Sequence, residues 1–379
     1  MTVEHDWTDN IDWDNLADPN GTGNPPKWAG HLHDRADDSP MDEMHGVIDF
    51  LSGEGPDTDG NYINEPFSVF CATRSHNESY WPWTDPPNGE ARDPEELGVV
   101  AVPGYEMHFG THSYAFFSTA SEDDVLSRFD DYDPDDGRGG FHAGLPEKLQ
   151  SPIDGDNDAE HKPEALVGFA HPLRYIDDDD DITDREYERF RFNVERLANQ
   201  DVASVLGSAS RRQPSPRSQA LELWDRLLTD FAPNYLPHLT AHQDAYAGGF
   251  VVGSHLDRRF ASLLLDEDEF DPSDQEESRQ AARDAWADGR ALAHIRDGWD
   301  AESESPPDTP MVDEAGVEDG TIYVESDAST TEWVSAGGEI VETGESVNIN
   351  DCEKYVRCQI FNADESAGTL TQPWAISHS

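Results

Sequence analysis

Apolar residues in this chain come in short, strand-length runs separated by polar stretches rich in Gly and Pro. Residues 28–33, 67–73, 165–170 and 202–206 read as buried strands. Another runs over 98–102, is broken by Pro103-Gly104, and continues over 105–109, with 114–117 as its neighbour. Helical spacing is rarer. Met41, Met44, Ile48 and Leu51 keep it after Ser39-Pro40, and Leu221, Trp224, Leu228 and Phe231 share one face of a helix over 218–231. A third helix opens with the capping box Ser273-x-x-Glu276 and ends at Gly289.

Strands separated by helices or long connections predict a parallel α/β architecture. From residue 320 the pattern changes to short alternating stretches, 322–324, 333–334, 339–341, 346–349 and 354–361, with turn signals such as Gly337-Gly338. The expected layout is therefore an acidic N-terminal arm over 1–27, one large catalytic-type domain over 28–300, a linker over 301–319 and a small C-terminal antiparallel β domain over 320–379. No internal repeat or coiled-coil heptad interrupts it.

Charge changes the reading of every acidic motif. With 81 Asp and Glu against 25 Lys and Arg, the formal net charge is -56 over 379 residues. Such self-repulsion is screened at molar salt, where the Debye length is about 3 Å. A halophilic surface is the expected explanation, so acid runs such as 177–181 read as solvated loops rather than calcium sites. The same charge disfavours nucleic acid as the main partner, since phosphate recognition needs a basic surface. No stretch reaches the roughly 20 apolar residues of a membrane span, and the N-terminus lacks the basic and apolar regions of a secretory signal. Cys71, Cys352 and Cys358 form neither a disulfide framework nor a zinc-knuckle spacing, and a cytoplasmic location is expected.

The candidate chemistry sits just after the strand-like runs. His31-x-His33 closes the first, Ser75-His76 follows the second, Glu106 and His112 belong to the third and its neighbour, and His171 follows 165–170. Asp244 comes after 235–241. Histidines two apart on a strand can bind one ion together. Taken alone the pair is weak, since 15 histidines in 379 residues give about 0.6 such pairs by chance. Its ordered companions give it weight. His108 shares a strand with Glu106, with a site-facing and a structural role equally open, whereas His142, His161 and His238 read as surface or loop residues. Trp81, Trp83 and Trp224 read as core or loop anchors.

In this order, His31-x-His33, Val102-Pro103-Gly104-Tyr105-Glu106, Phe169-Ala170-His171-Pro172, Trp224-Asp225-Arg226-Leu227-Leu228 and the Asp244 segment resemble the PHP family, the polymerase and histidinol phosphatase domain. The stretch 281–290 is similar to the family's late helix, and Tyr355-Val356-Arg357 with Gln372-Pro373 to the terminal sheet domain of many PHP phosphoesterases. The resemblance implies a distorted (β/α)7 TIM-like barrel followed by a small antiparallel β-sandwich-like domain. It further implies one to three divalent ions, zinc, manganese or iron, with His31, His33, His76, Glu106, His171 and Asp244 as metal ligands and His112 as the catalytic histidine after the glutamate. The implied activity is hydrolysis of a small phosphate ester by metal-bound hydroxide.

The chain departs from the family at three positions, of which Ser39, where some members carry a third early histidine, is a residue common in the family. Arg74-Ser75-His76 lacks the aspartate of Thr-Asp-His, and Asp244-Ala245-Tyr246 lacks the histidine of Asp-x-His. Losing ligands weakens an ion site. A second reading is therefore a catalytically degenerate barrel that binds a ligand or partner. An amidohydrolase-type metal hydrolase ranks third, because Lys148 and Lys162 lie in polar loops and supply no mid-chain bridging lysine. Finally, Arg211 and Arg212 stand in a basic segment after a strand, and the guanidinium fork suits a substrate phosphate.

Overall fold

A computed structural model describes residues 1–33, 48–55, 63, 65–74, 83, 91–108, 112–117, 165–169, 182–199, 202–207, 219–240, 245–246, 259–296 and 307–378. Residues 31–33, 72–74, 105–108, 112, 114, 117, 165, 207, 219, 240, 245 and 246 are placed by backbone alone. The chain order is β1 (Thr2–His5), β2 (Lys27–His33), β3 (Val69–Arg74), β4 (Val100–His108), β5 (His112–Phe117), β6 (Ala165–Phe169), α1 (Asp184–Ala198), β7 (Ser204–Gly207), α2 (Gln219–Phe231), β8 (His238–Thr240) and β9 (Ala245–Tyr246). It continues with β10 (Arg259–Leu263), α3 (Gln275–Asp288), β11 (Ala291–Arg296) and β12 (Val312–Glu318). The last strands are β13 (Thr321–Ser326), β14 (Thr330–Ser335), β15 (Glu339–Thr343), β16 (Ser346–Asn348), β17 (Tyr355–Phe361), β18 (Ala367–Thr371) and β19 (Trp374–Ser377).

Sixteen of these strands form one mixed sheet, with β12, β13 and β16 in a second. Strands β2, β3, β4, β6, β7 and β8 all run the same way, because β5 is antiparallel to both of its neighbours, β4 and β6. The run bends back on itself. β8 pairs with β7, and β9, four residues further on, pairs in parallel with β2.

This is not the (β/α)7 TIM-like barrel that the family resemblance implies. β5 breaks the strand-helix alternation with a hairpin, and few helices lie between the strands among the described residues. The closing edge of β2 is also divided: Lys27 and Trp28 pair antiparallel with Ser262 and Ala261 of β10, while only Leu32 and His33 pair with β9. Through β10 the sheet continues to β11, β18, β17 and β19, which pairs with β1. Crossovers of seven parallel units cannot produce that antiparallel extension.

Strands of the run are buried on both faces, as a covered parallel sheet requires. Val167, Phe169, Leu206 and Leu239 pack with Phe190 and Val194 of α1 and Leu221, Trp224 and Leu228 of α2. The concave face carries Trp28, Val69, Cys71, Val100, Val102, Phe116, Leu166 and Val205 against Ala282, Ala285 and Trp286 of α3. Trp28 meets Phe116 at 5.1 Å and Trp286 at 5.9 Å between ring centroids.

Local signals account for most elements and miss a few. Pro103-Gly104 does not break β4, which continues through both residues. Helix α2 occupies the expected segment. Helix α3 starts one residue later than the capping-box reading, because Asp274, not Ser273, accepts the Glu277 amide, and it ends at Gly289 with φ 81°. Helix α1 carries a true capping box, Thr183 with Glu186, inside a segment so charged that its stripe of Tyr187, Phe190, Val194 and Leu197 gives a weak pattern. Residues read as an acidic arm supply β1 and bury Trp7. They do so because the rings of Trp7 and Trp374 pack at 4.9 Å.

Candidate functional site at the carboxyl ends of the strands

Because the six strands are parallel, their carboxyl ends gather at one end of the sheet. β5 begins there, with His112 directly opposite His108 and Ser113 opposite Phe169. His31 and His33 close β2, Glu106 lies two residues from the end of β4, and His112 opens β5, so the backbone brings these four to one end. β3 stops at Arg74, one residue before Ser75-His76, and β6 stops at Phe169, two before His171. β9 starts at Ala245, immediately after Asp244, and β7 stops at Gly207, ahead of Arg211 and Arg212. His76, His171, Asp244, Arg211 and Arg212 themselves lie outside the described residues, as do His142, His161, Trp81 and the 177–181 aspartates.

A bulge decides which face the first pair occupies. Simple alternation groups His31 and His33 with Ala29, which belongs to the outer cluster of Phe50, Phe67 and Phe70. The β2–β3 register, however, matches Ala29 to Phe70 but Leu32 to Ala72, so β2 carries one extra residue between them. That slip puts positions 31 and 33 on the parity of Cys71, the concave face. Gly30 permits it: a Cβ there would collide with the Trp28 indole nitrogen. On β4 the two-residue period puts positions 104, 106 and 108 on the face of Val100 and Val102, and on β5 positions 112 and 114 share the face of Phe116.

Two glutamine amides pin the strands that lead to this end. Gln275 of α3 donates from Nε2 to the Val99 carbonyl at 2.8 Å and accepts the Ala101 amide at 2.9 Å, completing the start of β4. Gln372 does the same for β8, accepting from Leu239 N and donating to Leu239 O, both at 2.8 Å. Each side chain acts as a substitute strand partner where an unmet peptide group would be costly.

The segments around Trp224 and Tyr355 also prove to be one supporting network. Arg357, 2% exposed, donates from Nε and Nη2 to Asp225 at 2.9 and 2.8 Å, and Tyr355 donates to the same carboxylate at 2.9 Å. The guanidinium reaches Gln359, which reaches Glu332, and it lies 5.0 Å over the Trp224 ring. Trp224 Nε1 in turn donates to Pro237 O at 2.7 Å, just before β8. Burial works against the charge on Arg357, but Asp225 overrides it and raises the pKa; burial and the same carboxylate push Tyr355 up.

His238 lies buried at the start of β8 rather than on a surface or loop, because β8 is covered by α3: Nε2 donates to the Ala287 carbonyl at 3.3 Å. Burial, reinforced by His5, lowers its pKa to about 4. A second buried set, not visible in any motif, surrounds β10 and β11. His294 bonds to Thr369 and Ser262 at 2.8 and 3.0 Å and stacks on Phe260 at 4.6 Å. Thr369 donates onward to Pro310 O, so Nδ1 is the protonated nitrogen and Nε2 accepts from Ser262. Burial, Lys27 and Arg296 lower the pKa of His294 to about 3. Burial opposes ionisation of Glu65 too, but contacts at 2.6 Å from Lys27 and 2.7 Å from Arg296 hold its pKa at about 2.

Among the described residues no group of His, Cys, Asp and Glu side chains is arranged to hold a metal ion, and of the candidate ligands His31, His33 and Glu106 are placed by backbone alone. As a donor set, His31, His33, Glu106 and His112 are imidazole nitrogens and a carboxylate, which suit zinc, manganese or iron. No described helix is long and apolar enough to cross a membrane. No protein-family model, curated protein or solved structure matches the chain.

Proposed function

We propose that this chain is a metal-dependent phosphoesterase acting on a small phosphorylated substrate in the cytoplasm of a salt-accumulating cell. One observation carries the reading: His31, His33, Glu106 and His112, from three strands, stand at one end of a parallel run whose other strands end just short of His76 and His171. His31, His33 and Glu106, with His76, His171 and Asp244, are the proposed donors. Divalent ions held there would supply Lewis acidity, lowering the pKa of water and neutralising phosphoryl oxygens. Arg211 and Arg212 are the proposed phosphate clamp, matching a guanidinium fork to two phosphoryl oxygens. The resemblance to PHP enzymes supports this reading through motif order, apart from the expected barrel.

Tyr246 favours a second reading, a binding protein without turnover, since it pairs with His33 where a further histidine ligand is missing. Hydrolysis of a chromogenic phosphomonoester and phosphodiester, measured in molar salt with added Zn or Mn, separates the two. The expected result is turnover that E106Q reduces by more than the roughly 10-fold to 100-fold lost with an outer-shell partner. Equal rates in the wild type and E106Q, or metal uptake without any turnover, would reject the enzyme.

A further inference from the structure

We propose that Arg259 is a substrate-binding residue whose guanidinium holds phosphoryl oxygens of the ester at the carboxyl end of the parallel run. The inference rests on the phosphoesterase reading and adds to it a cation fixed on a strand. Three observations carry it, and position is the first. β10 begins at Arg259 and runs antiparallel to β2, with Ala261 opposite Trp28 and Ser262 opposite Lys27. Continued by two residues, that register sets Arg259 beside Gly30, one residue before His31. There the strands part, because β2 next pairs with β9 through Leu32 and His33. Arg259 thus stands at the fork of three strands, next to the first histidine pair.

Face and burial are the other two. Phe260 and Ser262 point outward, where Phe260 stacks on His294 at 4.6 Å and Ser262 bonds to the same ring at 3.0 Å. Ala261 and Leu263 instead join Trp28 and Trp286 in the concave cluster. The two-residue period of a strand therefore gives Arg259 the concave face. Arg259 is 6% exposed, so a guanidinium sits inside the wall of this end and not on the acidic surface. Burying a cation is costly unless anionic groups meet it. A planar guanidinium offers parallel N–H donors to two phosphoryl oxygens, and a strand holds them more precisely than a loop does. The same fork cannot ligate a metal ion, because it has no acceptor lone pair. Arg259 is thereby assigned to the charge of the substrate and the histidines to the ions.

The test is hydrolysis of a chromogenic phosphomonoester by the full chain in molar KCl with Zn or Mn, comparing the wild type with R259Q and R259K. Circular dichroism and metal content are measured first. Both variants are expected to fold and to hold the wild-type equivalents of metal, while KM rises about 10-fold to 100-fold in R259Q. Inhibition by inorganic phosphate should weaken by the same factor. R259K keeps the charge without the fork, and a smaller rise in both constants is expected. Wild-type KM and phosphate inhibition in folded R259Q would overturn the proposal and leave the phosphoesterase reading standing. So would loss of bound metal with KM unchanged, the mark of a guanidinium that only neutralises a ligand carboxylate. If R259Q does not fold, unchanged KM and phosphate inhibition in R259K decide against the proposal in the same way. A wild type that hydrolyses no ester would overturn both.

Discussion

The two ends of the parallel run are built from different chemistry. At the amino end, α3 lies across β4 and β8, Trp28 and Trp286 fill the concave face, and Gln275 meets the peptide groups at the start of β4. Its buried histidine, His238, is held neutral by desolvation. At the carboxyl end the same strands finish in His31, His33, Glu106, His108 and, on β5, His112. The contrast teaches how a stabilising end and the proposed site can be kept apart. Packing at the amino end fixes strand order and register, and that fixed register brings residues from distant parts of the chain to the opposite end. Parallel strands make this division natural, because all their carboxyl ends point one way.

Breaking the frame is expected to have the largest effect. D225A leaves Arg357 charged and buried without its carboxylate, and removal of one partner of a buried pair costs about 3–5 kcal/mol. Denaturant unfolding in molar salt would measure it. In E106Q, at the chemical end, the same unfolding curve is expected to stay within about 0.5 kcal/mol of the wild type. A D225L/R357M double variant that recovers most of the loss would show that the cost lies in the orphaned charge.

Acid comes next. His238 and His294 have pKa values of about 4 and about 3 when folded, below the ordinary value of about 6.5. Between the unfolded and folded values the unfolded chain binds more protons, so stability falls as pH falls. The fall begins below about pH 6.5 and contributes up to about 1.4 kcal/mol per pH unit for each histidine. Glu65 acts in the same direction lower down. Its contribution is complete above the ordinary carboxylate range and is lost as pH falls through about 2. Unfolding from pH 8 to 4 at constant salt should show the decline, and H294N should flatten it. A decline as steep in H294N as in the wild type would remove His294 from the account.

The smallest expected effect links the two ends. Q372A removes both hydrogen bonds to the Leu239 peptide and should cost about 1–3 kcal/mol. β8 leads to β9, so metal affinity should weaken with stability, whereas Q275A should act on β4 and the hairpin. Normal metal affinity in a Q372A protein of reduced stability would mean that β8 does not position the site.

Several elements were legible because their causes are local. The apolar runs at 28–33 and 165–170 and the stripe Leu221, Trp224 and Leu228 carry periods set by strand and helix geometry, and β2, β6 and α2 stand there. The candidate series His31, His33, Glu106 and His112 was legible as residue types following such runs. Its common end of the sheet depends on strand direction. Less visible were α1, whose stripe is diluted by acids that salt makes tolerable, and β10, β11 and β18, whose small and polar residues are buried by partners far along the chain. The (β/α)7 expectation failed at β5 and β10 because nothing in a strand's own residues says whether its neighbour is parallel or antiparallel.

The amino-acid sequence by itself determined where the strongly periodic strands and helices such as β2, β6 and α2 form, how acidic the chain is, and which residue types follow those strands. Tertiary structure alone decided three things: that β10 takes half the edge of β2, that the bulge at Gly30 moves His31 and His33 to the concave face, and that His108 stands opposite His112. The division has a physical cause. Side-chain period and backbone propensity act over a few residues, whereas register is set by hydrogen bonds and packing between segments that only folding brings together.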